Sequence, residues 1–137
     1  MNEVFADAGY WIALFHPRDR LHSKALVVSQ SIRGRRIVTS QAVLTEFLNH
    51  FAAFGAQFRG KAVQVVQSLR QSSEVEIVEH TSAQFEAALA LYAKRPDKEW
   101  GLTDCDSFLI MQQRAITEVL AHDEHFIQAG FIALLRL

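Results

Sequence analysis

Val4-Phe5-Ala6-Asp7 runs three apolar residues straight into a carboxylate. A strand this short, with no polar alternation, has no face to offer water and belongs inside a sheet covered on both sides. Ile37-Val38-Thr39, Val119-Leu120-Ala121 and Phe131-Ile132-Ala133-Leu134-Leu135 repeat the character, and Val75-Glu76-Ile77-Val78 reads as a further strand by alternation and β-branching. Helical patterns separate them, and that alternation predicts an α/β fold: a three-layer α/β/α sandwich around a central parallel sheet.

The helices are read from caps and breakers. A short aromatic helix around Tyr10-Trp11-Ile12-Ala13-Leu14 ends before Pro17, and a second runs from about Leu21 to Ile32 and stops near Gly34. Ser40 is placed to cap a helix carrying Val43, Leu44, Phe47, Leu48 and Phe51; Gly55 and Gly60 interrupt it before another from about Lys61 to Gln71. Thr81-Ser82-Ala83-Gln84 has capping-box spacing, and the helix behind it is expected to bury Phe85, Ala88, Leu89 and Tyr92. Thr103 is expected to cap the next helix, which carries Phe108, Leu109 and Met111; that puts Asp104 at its first position and Asp106 at the capping-box position.

Composition limits the possibilities. With 137 residues, half of them hydrophobic, and only 2 prolines and 6 glycines, residues 1–137 are expected to form one domain with its own core and no linker. The single cysteine, Cys105, has no partner for an internal disulfide, and no Cys/His spacing suits zinc. No apolar run reaches the roughly 18 residues of a membrane span, and the start of the chain lacks a leader's pattern, so a cytoplasmic protein without membrane contact is expected. A net charge of −1 does not announce a nucleic-acid binder. Local groups do offer phosphate contacts: Arg33-Arg35-Arg36, Arg18-Arg20-Lys24, Arg59-Lys61 and Lys94-Arg95-Lys98.

In parallel sheets, ligands bind beyond the carboxyl ends of the strands, where strand order reverses. Asp7 and Asp123 stand at such ends, Asp104 opens a helix facing that edge, and Glu46 lies in the second turn of the helix leaving the second strand. Buried carboxylates are costly unless their charge is offset, and a divalent cation is the usual answer. All-oxygen ligands without cysteine or paired histidines select Mg2+ or Mn2+, ions that complete their shell with water and substrate phosphate. That chemistry is phosphodiester hydrolysis by a metal-activated water.

Plainer readings stand beside this one. Asp7 could end a strand and start a turn, Glu46 could lie on a helix surface, Asp104 could serve the helix dipole and Asp123 could start a helix. Thr103 and Ser107 could be caps or could support the carboxylates with hydroxyls, as could Asp106 with its carboxylate. His122 and His125 flank Asp123 but lack the further ligands of a zinc site. Trp100 could stack on a base or pack at a loop. Phe47, Phe51, Phe54 and Phe58 recur at helical spacing, as core or as a ridge for a partner.

Phe5-Ala6-Asp7 before an aromatic helix, Thr39-Ser40 leading to Thr45-Glu46, Trp100-Gly101-Leu102-Thr103-Asp104-Cys105-Asp106-Ser107-Phe108, and His122-Asp123-Glu124-His125-Phe126 with Ala129-Gly130-Phe131 together resemble the PIN-domain family, especially the VapC-type toxins of toxin–antitoxin pairs. The resemblance spans essentially the whole chain. It implies a small PIN sandwich, Mg2+- or Mn2+-dependent endoribonuclease activity, and Asp7, Glu46, Asp104 and Asp123 as the acidic quartet that is both metal-binding and catalytic. It also implies an RNA substrate, a cognate antitoxin and a homodimer. One departure is Ala8-Gly9, where the family often carries a hydroxyl; the hydrogen bond it would make is then missing or supplied by Ser107. A PIN nuclease of RNA processing, without an antitoxin, would share every catalytic residue. A non-enzymatic Mg2+-binding signalling domain would instead need a lysine after an apolar strand, which this chain lacks.

Overall fold

A computed structural model describes residues 2–137. Five parallel strands, β1 (Glu3–Ala6), β2 (Arg36–Ser40), β3 (Val75–Val78), β4 (Glu118–Leu120) and β5 (Ile132–Ala133), form one sheet in the order β3-β2-β1-β4-β5. Among the described residues seven helices complete an α/β sandwich: α1 (Ala8–Phe15), α2 (His22–Ser31), α3 (Gln41–His50), α4 (Ala56–Gln71), α5 (Ser82–Lys94), α6 (Leu102–Arg114) and α7 (Glu124–Gln128). Val4, Phe5, Ala6, Val38, Val119 and Leu120 are wholly buried, as unalternating strands must be.

Strand order reverses beside β1. The chain moves outward from β1 through β2 to β3, then crosses to the other side for β4 and β5. The carboxyl ends of β1 and β4 therefore flank the switch point, and the Asp7 backbone N–H donates to the Leu120 carbonyl across it at 3.2 Å. Behind this seam, the buried Thr39 hydroxyl donates to the Ala6 carbonyl at 2.8 Å and accepts from Trp11 Nε1 at 3.2 Å. The backbone that presents Asp7 is thus fixed from both neighbouring strands.

Several local expectations need correction. The fifth strand is two residues long and passes into a 3-10 turn, Leu134–Arg136, because β4 offers only Glu118 and Val119 as partners. Gly60 lies inside α4, which starts at Ala56; Gly55, at φ +97°, is the real break. An interior glycine costs a helix only about 1 kcal/mol, which the packing of Phe58 on Phe15 and Phe51 offsets. On α5, the capping box at Thr81 and Gln84 forms. The face turned inward, however, carries Gln84, Ala88 and Leu91, whereas Phe85, Leu89 and Tyr92 make a second, solvent-facing stripe.

At α6 the cap is Gly101 rather than Thr103. Asp104 is the third helical residue, and its Oδ2 accepts the Gly101 N–H at 3.0 Å, so a carboxylate closes the helix where a hydroxyl was expected. Asp106 consequently lies outside the capping box. The aromatic ridge is mostly core: Phe47 and Phe51 are fully buried, Phe58 partly so, and only Phe54 stays exposed. A break between α3 and α4 turns the linear spacing into a cluster with Phe15 and His16.

Candidate metal centre at the carboxyl edge of the sheet

Asp7 leaves β1 and stands at the N-cap of α1, yet its side chain makes no capping hydrogen bond. The protein packed around its carboxyl is the largest cause that pushes its pKa up to about 7, with Asp104, Glu46 and Asp123 adding repulsion against an opposing hydrogen bond from the Ala8 backbone. Glu46, exposed on α3, is also raised: partial burial is the main cause, Asp104 and Asp123 add to it, and the Thr103 hydroxyl opposes it. Charges from four separate elements therefore bear on one another, as the strand-end reading requires.

Asp123 caps α7, its Oδ1 accepting the His125 backbone N–H at 2.9 Å. The imidazole of His125 folds toward the carboxylates, with Nδ1 2.9 Å from Asp104 Oδ2 and 3.5 Å from Asp123 Oδ1. Burial alone would lower the pKa of His125; the hydrogen bond to Asp104 and the charges of Asp123, Asp104 and Glu124 outweigh it and raise the net value. One ligand atom each from Asp104, Asp123 and His125 falls within a 4.8 Å group. An open cleft of about 680 Å³ runs over the same edge, lined by Asp7, Glu46 and Asp123 on its acidic side and by Arg20, Asn49, His50 and His122 elsewhere.

Among the described residues no lysine or arginine forms a salt bridge with any of these four carboxylates. A carboxylate held near pH 7 without a cationic side chain, beside three more and one imidazole, is a donor set that fits a hard divalent cation.

The supporting residues fall out unevenly. Thr103 faces Glu46, and Ser107 is fully buried with its Oγ lacking any hydrogen-bond partner, so it makes good no missing hydrogen bond to the carboxylates. Asp106 is buried and has His80 Nδ1 4.0 Å from its Oδ2; burial raises its pKa and His80 opposes the rise. Trp100 is buried, edge-on to Phe108, and donates from Nε1 to Gln128 at 3.0 Å, which answers the stacking question in favour of packing. Arg35 and Arg36 are engaged in ion pairs at the opposite edge of the sheet and are not a free phosphate patch.

Spacing offers His125 only as an incomplete zinc site, whereas in the fold it contacts Asp104 and Asp123. The two-residue step from Asp123 to its N–H is a readable local turn. The contact to Asp104, 21 residues away, is not.

Comparison with known proteins agrees with this architecture. A PIN domain matches residues 4–132. The 23S rRNA-specific endonuclease VapC20 of Mycobacterium tuberculosis is 29% identical over 133 residues, covering 94% of this chain and 95% of the relative. The crystal structure of that protein, described as a sarcin-ricin loop cleaving toxin, superposes with a TM-score of 0.83 at 26% identity, covering 94% of this chain and 96% of the other. The crystal structure of FitAcB from Neisseria gonorrhoeae shares the fold with a TM-score of 0.65 at 17% identity over 98% and 99% of the two chains.

Proposed function

This chain belongs to the PIN-domain family, and from that starting point we propose that it is a Mg2+- or Mn2+-dependent endoribonuclease, the toxin of a toxin–antitoxin pair. The observation that carries the reading is the set of carboxylates at the switch point with, among the described residues, no lysine or arginine paired to them. In this reading Asp7, Glu46, Asp104 and Asp123 hold the cation and act on the reacting phosphodiester. When bound, Mg2+ or Mn2+ supplies Lewis-acid polarisation of the scissile phosphate and a water acidic enough to attack near neutral pH.

The chain's own residues then have distinct tasks. Asp7, whose pKa burial and neighbouring anions push up to about 7, would hold the cation in its deprotonated form. Glu46, on the exposed side of the cleft, can take a proton from the attacking water and pass it to solvent. Arg20 on the cleft wall is a cation for a flanking phosphate of the RNA.

The relative named for 23S rRNA makes ribosomal RNA the first substrate to try. The family resemblance supports an antitoxin partner and a homodimer, and the exposed Phe85, Leu89 and Tyr92 stripe on α5 is an apolar face suited to a second copy. Among the described residues no helix is long and apolar enough to cross a membrane; a cytoplasmic site of action is part of the proposal.

The test is incubation of the purified protein with ribosomes and with total RNA, in manganese and in excess chelator. Discrete cleavage in metal and none in chelator is expected. Equal cleavage in both, or none in either, would sink the nuclease reading.

A further inference from the structure

Asp104 and Asp123, whose ligand atoms fall within 4.8 Å of one another, come from different elements: the first turn of α6 and the cap of α7. His125 joins them. Its Nδ1 lies 2.9 Å from Asp104 Oδ2, and its backbone N–H donates to Asp123 Oδ1 at 2.9 Å. Asp104 Oδ2 also accepts the Gly101 N–H at 3.0 Å. An Nδ1 turned toward two carboxylate oxygens must carry a hydrogen, since a bare lone pair there would repel both.

Every one of these donors falls on a single oxygen of its carboxylate. Among the described residues Asp104 Oδ1 and Asp123 Oδ2 receive no hydrogen bond at all. We propose that His125 is a positioning residue: by donating from Nδ1 and from its backbone it anchors one oxygen of Asp104 and one of Asp123, leaving the other oxygen of each free for the cation. The proposal rests on the metal-dependent reading above. Donating from Nδ1 excludes that atom as a ligand, so the role is one of orientation, as hydrogen-bond partners of metal ligands commonly have.

The experiment compares His125→Ala with His125→Asn, whose amide nitrogen reaches the place of Nδ1. Mn2+ binding is titrated on the metal-free proteins by spin resonance, with circular dichroism confirming the fold and RNA cleavage measured in parallel. Loss of an orienting hydrogen bond typically weakens a metal site by about 10–100-fold. H125A should lose that much affinity, with a lower kcat, and H125N should recover most of both. Wild-type affinity in H125A would overturn the proposal, and so would H125N as impaired as H125A, which would mark the imidazole itself as a ligand. Should H125A fail to fold, H125Q, whose amide is displaced by one carbon, replaces it: affinity recovered in H125N alone supports the role, and equal affinities in the two overturn it. A wild-type protein that binds no Mn2+ removes the metal reading and this role together, whereas wild-type binding with an unaffected H125A removes only the role.

Discussion

The two edges of the sheet carry the same acidic chemistry and treat it in opposite ways. At the amino edge, Glu3, Glu76 and Glu118 each meet an arginine: Arg35 pairs with Glu118 at 2.7 Å, and Arg114 reaches both Glu76 and Glu3. The hydrogen bond from Arg114 is the main cause that holds Glu76 below its ordinary pKa. At the carboxyl edge Asp7 is pushed up to about 7 and has no such partner. Evenly balanced charge is what a fold builds to stay folded; unbalanced charge of one sign at a switch point marks a place kept for something else.

The contrast breaks most visibly in activity. Replacing Asp7 with alanine leaves the hydrophobic seam of β1 and β4 intact but removes a central carboxylate. If several kcal/mol of transition-state stabilisation pass through the site, cleavage should fall by about a thousandfold or more. The protein should still unfold cooperatively. Cleavage within tenfold of wild type under matched metal would show that the carboxyl edge is not the reacting edge.

A smaller effect concerns stability. The folded protein raises the pKa of Asp7 from 3.8 to about 7, so between those values the native state binds the extra proton and stability falls as pH rises. Asp7→Asn keeps the shape and removes the charge. In chelator at pH 8 it should melt several degrees above wild type, and near pH 4 the two should nearly coincide. Millimolar Mn2+ should raise the wild-type melting temperature by mass action and the variant's much less. Asp104→Asn is a less clean choice, because Asp104 also closes α6 through Gly101. An Asp7→Asn protein less stable than wild type in chelator at pH 8 would mean that this edge stores no charge repulsion.

How far all this could be read in the sequence follows from the range of each interaction. Strand existence, the order of the elements and the placement of the four carboxylates toward one edge were legible because they rest on local patterns: apolar runs, caps, and acids at strand ends and in the first turns of helices. Ser40 and the Thr81 box formed as their spacing required. What local pattern cannot carry is direction across the fold. The face on which α5 is buried depends on where α6 lies, so Phe85, Leu89 and Tyr92 read as core and emerged exposed. Thr103 reads as a cap, but the helix begins two residues earlier, at Gly101, whose N–H the carboxylate of Asp104 accepts. His125 looks like a bystander until α6 brings Asp104 to it. Of the basic groups read as phosphate contacts, Arg35 and Arg36 turned out to belong to the balancing half of the amino edge.

The smallest expected effect lies at that amino edge. Arg114→Met keeps most of the aliphatic stem and removes the guanidinium from Glu76 and Glu3. The side chains of Arg114 and Glu76 are 29% and 35% exposed, so water screens the pair and the loss should be about 0.5–1 kcal/mol, or roughly 2–4 °C in melting temperature. The sign of its pH dependence is opposite to that of Asp7. Glu76 is lowered from 4.5, so its contribution is present above that value and is lost as pH falls through the depressed pKa. Wild type and variant should therefore differ at pH 7, converge in strong acid, and converge again in high salt. Cleavage at permissive temperature should stay at the wild-type level, since nothing at this edge faces the cleft residues. A variant as stable as wild type at pH 7 and low salt would remove the stabilising role of the arginines, and one that folds normally but loses cleavage would remove the distinction between the two edges.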